Sequence, residues 1–330
     1  MEKELQLFKG YDYSMSVYMD NHQRGGFTQL SLDLSSRCNY SCDWCFNKDL
    51  IGKDNQDLLS LVEKKDLLDE SIEMGAKTLV IPGTGEPTLD PDFYPLIEHA
   101  HRLGLTTVIY SNLTGNLDKE KIDYLFSRDV SIGIKLDALY SGYFTKRYHA
   151  NENMFKKFSE NLGLVISTYK GSEESTHQGV VHRIIANMVL THDNRDELPD
   201  IARLCKNRDI PLFVRPVKPV TWAGNNPELW KQIGNRTGEY VFDSELVKLS
   251  QGYNTLFSPS STLENHCALY AFGLTIKNNG DIQFCPDHHA SRGNWGNIRD
   301  VNLRDVMERL NSIRTIKPGF CVMSPEVEHD

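Results

Sequence analysis

Six strand-like segments alternate with helix-like segments between residues 29 and 217. The strand-like segments are short and rich in β-branched residues, whereas the helical ones carry an apolar face at helical spacing. Strands are predicted at residues 29–34, 78–81, 106–110, 130–136, 181–190 and 210–217, and helices at residues 58–74, 91–103, 118–127, 153–164 and 195–206. This alternation predicts an α/β fold with a parallel sheet and right-handed crossovers, as a whole or partial barrel. In such barrels the chemistry lies at the carboxyl ends of the strands.

A cluster of three cysteines follows the first predicted strand. Cys38, Cys42 and Cys45 fall in a C-x₃-C-x₂-C pattern on one short loop. Thiolates hold iron–sulfur clusters, and a four-iron cluster with three cysteine ligands leaves one iron open for a cofactor. Half of a zinc site is the alternative, although zinc sites usually draw their C-x₂₋₄-C pairs from two separate places.

An aromatic residue, Trp44, precedes the third cysteine. With that residue, the loop resembles the signature of the radical S-adenosylmethionine (SAM) superfamily. The resemblance implies that Cys38, Cys42 and Cys45 bind a [4Fe–4S] cluster and that Trp44 packs near the adenine of SAM. It implies that the amino and carboxylate groups of SAM chelate the open iron and that reduction yields a 5′-deoxyadenosyl radical. It also implies an open (β/α)₆ partial barrel.

Polar groups follow the other predicted strands, where a cofactor at the barrel mouth needs them. After the second strand, Gly83-Thr84-Gly85-Glu86-Pro87 is a glycine-rich turn that lets backbone groups approach a ligand closely. It resembles the G-G-E-P motif of the same superfamily, with Thr84 in place of the first glycine, and the resemblance implies contact with the SAM amino group. By position, the candidates for ribose and carboxylate contacts are Ser111, Asn112, Lys135, Asp137 and Asn187. A capping role for Asn112 or Asp137 stays open.

Two further residues are candidates for substrate contact. Arg215 ends the sixth predicted strand and could bind a carboxylate or phosphate in fork geometry. His182 lies in the fifth predicted strand and is placed near the same region. The alternatives are a structural ion pair for Arg215 and a satisfied interior histidine for His182.

A second cysteine constellation lies near the carboxyl terminus. Residues 273–277 and 281–284 alternate around Asn278-Asn279-Gly280, which predicts a β-hairpin. Cys267 and Cys285 flank this hairpin, and Cys321 follows a predicted helix at residues 301–313. The arrangement resembles the SPASM/twitch extension of radical SAM enzymes, which binds an auxiliary iron–sulfur cluster.

The pattern departs from that extension in having three cysteines where four ligands are needed. The resemblance therefore implies an auxiliary [4Fe–4S] cluster with an open iron or with a further ligand from Asp287, His288, His289 or Ser324. A zinc site built from these cysteines and a histidine is the main alternative, and structural thiols are another.

These features divide the chain into four predicted parts. Residues 1–26 show no clear periodicity, and residues 169–179 are predicted to form a mobile loop within the barrel. The parts are an N-terminal extension (1–26), a partial barrel (27–220), a linker (221–262) and a small α+β auxiliary-cluster domain of hairpin and helix (263–330).

Composition narrows the possible partners and location. A net charge of −9 without a basic tract argues against nucleic acid. No apolar run is long enough to span a bilayer, and the first 19 residues lack a signal peptide, which predicts a cytoplasmic protein without a membrane partner. The odd count of seven cysteines excludes a complete disulfide framework.

The sequence therefore predicts a radical SAM oxidoreductase or epimerase acting on a sugar, aminocyclitol or nucleoside in natural-product biosynthesis. A small substrate is favoured because residues 1–26 are too short for a separate peptide-binding domain. The alternatives are a peptide-modifying maturase and a metal-binding scaffold without radical chemistry. The expected electron donor is a flavodoxin or ferredoxin-type protein docking near Arg37 and Lys48.

Overall fold

The computed structural model describes residues 5–45, 47–53, 57–216, 249, 252–253, 255, 273–283 and 295–313. The strands are β1 (Gln6–Phe8), β2 (Gln29–Leu32), β3 (Thr78–Ile81), β4 (Thr106–Ser111), β5 (Val130–Lys135), β6 (Glu174–Thr176), β7 (Gly179–His182), β8 (Ile184–Leu190), β9 (Leu212–Pro216), β10 (Gly273–Ile276) and β11 (Ile282–Gln283). The helices are α1 (Met15–Gln23), α2 (Leu61–Glu73), α3 (Phe93–Arg102), α4 (Lys119–Ser127), α5 (Ser141–Tyr148), α6 (Glu152–Tyr169), α7 (Leu198–Asn207) and α8 (Leu303–Ile313).

The main sheet has eight strands in the order β11-β10-β2-β3-β4-β5-β8-β9. Neighbouring strands from β10 through to β9 are parallel, and only β11 runs antiparallel to its neighbour. The six predicted strands occur here as β2, β3, β4, β5, β8 and β9, side by side in chain order. The α/β fold with a parallel sheet of the partial-barrel type is thus confirmed.

Local sequence signals explain where the crossover helices begin and end. Ser60 and Glu63 form a capping box at the start of α2, which satisfies two backbone N–H groups that would otherwise lack partners. Gly75, at φ +91°, ends the same helix in a conformation that favours glycine. The helices bury their apolar faces on the outer side of the sheet, where each fully buried leucine or phenylalanine contributes about 1.5–3 kcal/mol.

The N-terminal segment closes the amino end of the barrel and is not a detached extension. Phe8 packs inside the barrel against Val80, Val108 and Ile185. The carbonyl oxygen of Gly10 accepts hydrogen bonds from Gln29 Nε2 at 3.2 Å and Thr78 Oγ1 at 2.9 Å. Residues 5–26 also form β1 and α1, which their weak periodicity did not predict.

The segment before β8 also differs from the prediction. Three of its residues form β6, which pairs antiparallel with β7, and β7 pairs parallel with β1 in a separate three-stranded sheet. The predicted strand at residues 181–190 therefore splits at Arg183, and part of the predicted mobile loop is strand. A pattern of apolar residues shows that a segment pairs but not which sheet it joins.

The C-terminal hairpin forms as predicted, with β10 and β11 antiparallel. Its first strand, however, lies parallel to β2, so the hairpin continues the main sheet. Asp33, just after β2, forms an ion pair with Lys277, just after β10. The division into domains at residues 220 and 262 stays a prediction, because residues 217–248 and 256–272 lie outside the described part. None of the helices in the described ranges is both long and apolar enough to cross a bilayer.

Closure of the barrel by the N-terminal segment predicts a large cost for Gly10→Ala. A Cβ at Gly10, where φ is +98°, would lie 2.5 Å from Val108 Cγ2. Gly25→Ala is the matched control, because Gly25 also has positive φ (+73°) but no atom within 4 Å of the added Cβ. We expect the control to lose about 1 kcal/mol of unfolding free energy from backbone strain, and Gly10→Ala to lose about 1–3 kcal/mol more from overpacking. Equal losses in urea titrations would contradict the packing of Gly10 against Val108.

Candidate active site

The cysteine loop, residues 35–45, follows β2 at the carboxyl edge of the sheet. The backbone N–H of Glu86 donates to the carbonyl oxygen of Arg37 at 2.8 Å. A Cβ added at Gly85 would collide with the same carbonyl group, so only glycine permits this approach. The glycine-rich turn after β3 therefore supports the cysteine loop through its backbone.

Asn112, after β4, holds the cysteine loop from a second direction. Its Nδ2 donates to Asn39 Oδ1 at 2.9 Å, and Asn39 Nδ2 donates to Thr114 Oγ1 at 2.9 Å. Asn112 Oδ1 accepts from the backbone N–H of Thr114 at 2.8 Å. Of the two roles left open by the sequence, the structure shows the one in which the Asn112 side chain caps the chain's own backbone.

The side chain of Glu86 accepts hydrogen bonds from within the protein, and contact of its motif with SAM stays a prediction. The residue is 2% exposed. Its Oε1 accepts from Ser111 Oγ at 2.8 Å and Thr88 Oγ1 at 2.7 Å, and its Oε2 accepts from the backbone N–H of Asn112 at 2.8 Å. Burial raises the pKa of Glu86, while these hydrogen bonds favour the charged form and oppose the shift. Glu86 and Ser111 thus join β3 to β4, and the half-buried Gly83 and Gly85 leave backbone accessible at this turn.

The side chain of Asp137 likewise accepts hydrogen bonds from within the protein, and it forms an ion pair with Lys135. Asp137 Oδ1 accepts from the backbone N–H of Val189 at 2.5 Å, and its Oδ2 accepts from Tyr148 Oη at 2.6 Å. Lys135 Nζ lies 2.6 Å from Asp137 Oδ2, 5.3 Å from the Trp44 ring centroid and 5.5 Å from that of Tyr148. Asp137 therefore has a structural role, which the sequence left open, and Lys135 is partly exposed. Contact of either residue with SAM stays a prediction.

The charge of Lys135 is maintained by its surroundings. Burial acts to lower the pKa of Lys135, but the charge of the Asp137 carboxylate and its hydrogen bond raise it, and the net shift is upward. The ammonium over the faces of Trp44 and Tyr148 is a favourable cation–π arrangement. Lys135 thus presents a fixed positive charge beside the cysteine loop.

Asn187 lies on β8, next to the strand of Lys135, and Arg215 lies on β9, one strand further. Asn187 is the register partner of Lys135, and Arg215 is the partner of Val189, two residues further along β8. Asn187 is half-buried, whereas Arg215 is exposed, with its guanidinium 4.1 Å from the Phe213 ring centroid. Both residues remain candidates at the barrel mouth.

His182 lies at the opposite end of the barrel. It ends β7 and precedes β8, so it lies at the amino end of the sheet. Its Nε2 lies 2.6 Å from Gln6 Oε1, and its carbonyl oxygen accepts from the backbone N–H of Lys9. The predicted contact with substrate is wrong for His182, which is the satisfied interior histidine of the alternative interpretation.

The thiols of the cysteine loop are free and mostly buried. Burial raises the pKa of all three thiols, and that of Cys38 reaches about 11. Among the described residues, no three His, Cys, Asp or Glu side chains are already arranged to hold a metal ion. Iron binding requires these thiols to lose their protons, as is usual for thiolate ligands. Three thiols on one loop fit a four-iron cluster that keeps one iron for a non-protein ligand.

Cys267, Cys285 and Cys321 lie outside the described residues, as do Asp287, His288, His289 and Ser324. The described hairpin ends at Gln283, two residues before Cys285. An auxiliary cluster at these residues is therefore a proposal.

Sequence reasoning missed α5, which lies directly against the cysteine loop. Tyr148 stacks on Tyr40 with ring centroids 4.9 Å apart, and Tyr143 stacks on Trp44 at 6.0 Å. Arg147 and His149 contact Asp43. Aromatic residues spaced three to five apart between residues 140 and 148 were the available signal for a short helix with one buried face.

The comparison with known families agrees with this geometry. Residues 32–205, more than half of the chain, match the radical SAM superfamily. The chain belongs to the radical SAM superfamily.

Relatives within the superfamily cover only parts of the chain. The GTP 3',8-cyclase of Staphylococcus carnosus is 32% identical over 122 residues, 33% of this chain and 34% of the cyclase. The mycofactocin maturase MftC of Mycobacterium ulcerans is 25% identical over 215 residues, 64% of this chain and 52% of the maturase. The chain thus spans about a third of the cyclase and about half of the maturase.

Solved structures show the same fold. The crystal structure of Streptococcus suis SuiB bound to S-adenosylmethionine superposes with a TM-score of 0.62 at 16% sequence identity, covering 88% of this chain and 69% of SuiB. SuiB bound to its precursor peptide SuiA superposes equally well, with a TM-score of 0.62, at 17% identity and covering 90% of this chain and 69% of SuiB.

The buried Glu86 network predicts a stability cost for Glu86→Gln. An amide turns one acceptor into a donor and leaves donors from Ser111, Thr88 or Asn112 unpaired, so we expect a loss of about 2–3 kcal/mol in unfolding free energy. Glu98→Gln is the control, because Glu98 pairs with Arg128 at the surface, and we expect it to be clearly less destabilising than Glu86→Gln. Denaturant titration of the SAM-free protein measures both. A Glu86→Gln variant as stable as wild type would show that the carboxylate is not needed to join β3 to β4.

Proposed function

We propose that this chain cleaves SAM reductively at the cysteine loop and abstracts a hydrogen atom from a small polar substrate at the barrel mouth. Cys38, Cys42 and Cys45 would hold the cluster. A bound [4Fe–4S] cluster supplies the electron that splits SAM into methionine and a 5′-deoxyadenosyl radical, which removes a hydrogen atom from the substrate. The observation that carries the proposal is the loop of three thiols at the carboxyl edge of a parallel sheet, in a chain of this superfamily.

The chain's own residues would bind and orient SAM beside that loop. Lys135, fixed by Asp137, offers an ammonium group to the SAM carboxylate. The partly exposed backbone of Gly83 and Gly85 would accept hydrogen bonds from the SAM amino group. Trp44 Nε1 is buried and has no hydrogen-bond partner in the described part of the chain, which supports contact between Trp44 and a bound cofactor.

The polar residues of the barrel mouth support a small polar substrate. Asn187 and the exposed Arg215 could bind hydroxyl and anionic groups, the guanidinium in fork geometry. A sugar, aminocyclitol or nucleoside carries such groups, and the name of the GTP 3',8-cyclase specifies a nucleotide substrate. The outcome would be oxidation or epimerisation in natural-product biosynthesis.

A peptide is the second candidate substrate. The mycofactocin maturase aligns over more of this chain than the cyclase does, 64% against 33%. On this alternative the chain would be a maturase that crosslinks or epimerises residues of a ribosomal peptide. The third candidate function is a metal-binding scaffold without radical chemistry. Unlike the two enzymes, such a scaffold would form no 5′-deoxyadenosine.

The C-terminal region is proposed to form a SPASM/twitch-type domain with an auxiliary [4Fe–4S] cluster at Cys267, Cys285 and Cys321. The predicted hairpin between the first two cysteines is present as β10 and β11, which supports the proposal. An auxiliary cluster would accept an electron from a substrate radical and so give net oxidation. The proposed external donor is a flavodoxin or ferredoxin-type protein, docking at the exposed Arg37 and the half-buried Lys48.

The proposed clusters predict the iron content of the protein. After anaerobic reconstitution, we expect about eight irons per wild-type chain and about four in the Cys38/Cys42/Cys45→Ala variant. The variant should form no 5′-deoxyadenosine from SAM under dithionite, because it lacks the open iron. Cys205→Ala, which removes a buried thiol of α7, is the control and should retain both properties. Four irons in wild type and none in the variant would contradict the proposed auxiliary cluster. SAM cleavage by the variant would contradict the main proposal.

The proposed substrate contact predicts a selective effect of Arg215→Met. We expect the variant to keep substrate-independent SAM cleavage. It should need at least about tenfold more substrate for half-maximal stimulation of that cleavage, because it loses roughly one charge-assisted hydrogen bond. Arg203→Met, which removes an exposed arginine of α7 paired with Asp200, is the control. The assays measure formation of 5′-deoxyadenosine in two sets of reactions. One set contains nucleosides and sugar phosphates as possible substrates, and the other contains precursor peptides. Stimulation by peptides alone would replace the first candidate by the second.

A further inference from the structure

Asp43, between the second and third cysteines of the loop, belongs to a charged network that the sequence did not predict. Arg147 Nη1 lies 3.1 Å from Asp43 Oδ2, and its Nη2 contacts Asp193 in the segment after β8. His149 Nε2 lies 2.7 Å from Asp43 Oδ1. The Arg147 side chain is only 8% exposed and that of Asp43 13%. One guanidinium thus bridges two carboxylates from different loops of the barrel mouth.

Backbone contacts tie the same two segments together. The N–H of Ser41 donates to the carbonyl oxygen of Tyr148 at 3.0 Å, and the N–H of Asp43 donates to that of Arg147 at 3.1 Å. The last carbonyl groups of a helix normally lack partners within the helix, and here the end of α5 offers them to the cysteine loop. His149 ends α5 in the left-handed conformation, at φ 50°.

We propose that Arg147 is a positioning residue that fixes the cysteine loop to the end of α5 and to the segment after β8, and so fixes the backbone from which the cluster ligands project. This inference rests on the proposed function, because it assumes a cluster at Cys38, Cys42 and Cys45. The side chain of Arg147 pairs with Asp43 and Asp193. It acts through Asp43, which is adjacent to Cys42 and two residues before Cys45.

The chemistry of arginine accounts for its use here. The planar guanidinium presents N–H groups in a rigid fork, so two of its nitrogens can hold two carboxylates at a fixed angle. A lysine supplies a single point charge and cannot hold both in the same geometry. Because Arg147 and Asp43 are largely withdrawn from water, loss of either partner breaks a buried charge pair and leaves the other group with one charged or polar partner fewer.

The test compares Arg147→Gln with wild type in the reconstituted, full-length protein. Removing a group that orients metal ligands typically lowers metal affinity by about 10- to 100-fold. We therefore expect iron transfer to a chelator to be faster by about that factor in Arg147→Gln. We also expect a changed EPR spectrum of the reduced cluster. Arg147→Lys should lie between the two, because it keeps the charge without the fork. Arg128→Gln, which removes the pair between Arg128, just after α4, and Glu98 on α3, should match wild type.

A double-mutant cycle tests whether Arg147 acts through Asp43. We expect Asp43→Asn to accelerate iron loss, and the double variant Asp43→Asn/Arg147→Gln to be no faster than the more affected single variant. Additive effects would show that Arg147 does not work through Asp43 and would overturn the inference. If circular dichroism shows that Arg147→Gln does not fold, Asp193→Asn replaces it as the test. This variant removes the ion pair between Asp193 and Arg147 Nη2. An iron-transfer rate equal to that of wild type would then overturn the inference.

The outcomes separate this inference from the proposed function. Wild-type protein that assembles no cluster would remove the proposed function and the inference with it. Wild-type protein that holds its cluster, alongside an Arg147→Gln variant with the same iron-transfer rate and EPR spectrum, would overturn the role of Arg147 alone. A lower melting temperature without a change in those two measurements would show a purely structural ion pair.

Discussion

The cysteine loop has no regular secondary structure, so its shape depends on the elements to which it is hydrogen-bonded. Three successive units of the barrel provide those contacts. The turn after β3 binds Arg37 through the backbone at Gly85 and Glu86, the segment after β4 binds Asn39 through Asn112, and the end of α5 binds Ser41 and Asp43. Each contact lies within a few residues of a cysteine. The parallel sheet is what brings the three units to one edge, because its strands all end on the same side.

The buried carboxylates around the site are used to hold the protein together. Glu86 receives hydrogen bonds from the ends of β3 and β4, and Asp137 receives them from Tyr148 and the backbone of Val189. A buried carboxylate without such donors would be strongly destabilising. Among the described residues, the groups proposed to face a ligand are therefore the cation Lys135, the amide of Asn187, the exposed Arg215 and the backbone of the glycine-rich turn. These cationic, amide and backbone groups would complement a ligand that carries anionic and hydroxyl groups.

Two distant parts of the chain complete the partial barrel. Residues 5–10 close its amino end, with Phe8 in the interior and Gly10 against the first residues of β2 and β3. At the edge beside the cysteine loop, β10 extends the sheet from β2, and Lys277 pairs with Asp33 just before that loop. Strand β2, which precedes the cysteine loop, is therefore hydrogen-bonded to a neighbouring strand on both sides. This pairing restricts movement of the loop.

The sequence by itself determined the features that depend on neighbouring residues. Helical and strand periodicity predicted the six parallel strands and their helices, the cysteine spacing identified the loop, and Asn279-Gly280 predicted the hairpin. Only the tertiary structure decided which sheet β7 joins, that His182 lies at the far end from the site, and that Glu86 and Asp137 serve the protein's own donors. It also placed α5 and Arg147 against the cysteine loop. These outcomes depend on strand register and on partners 25 to more than 100 residues away along the chain, and periodicity carries no information about such partners.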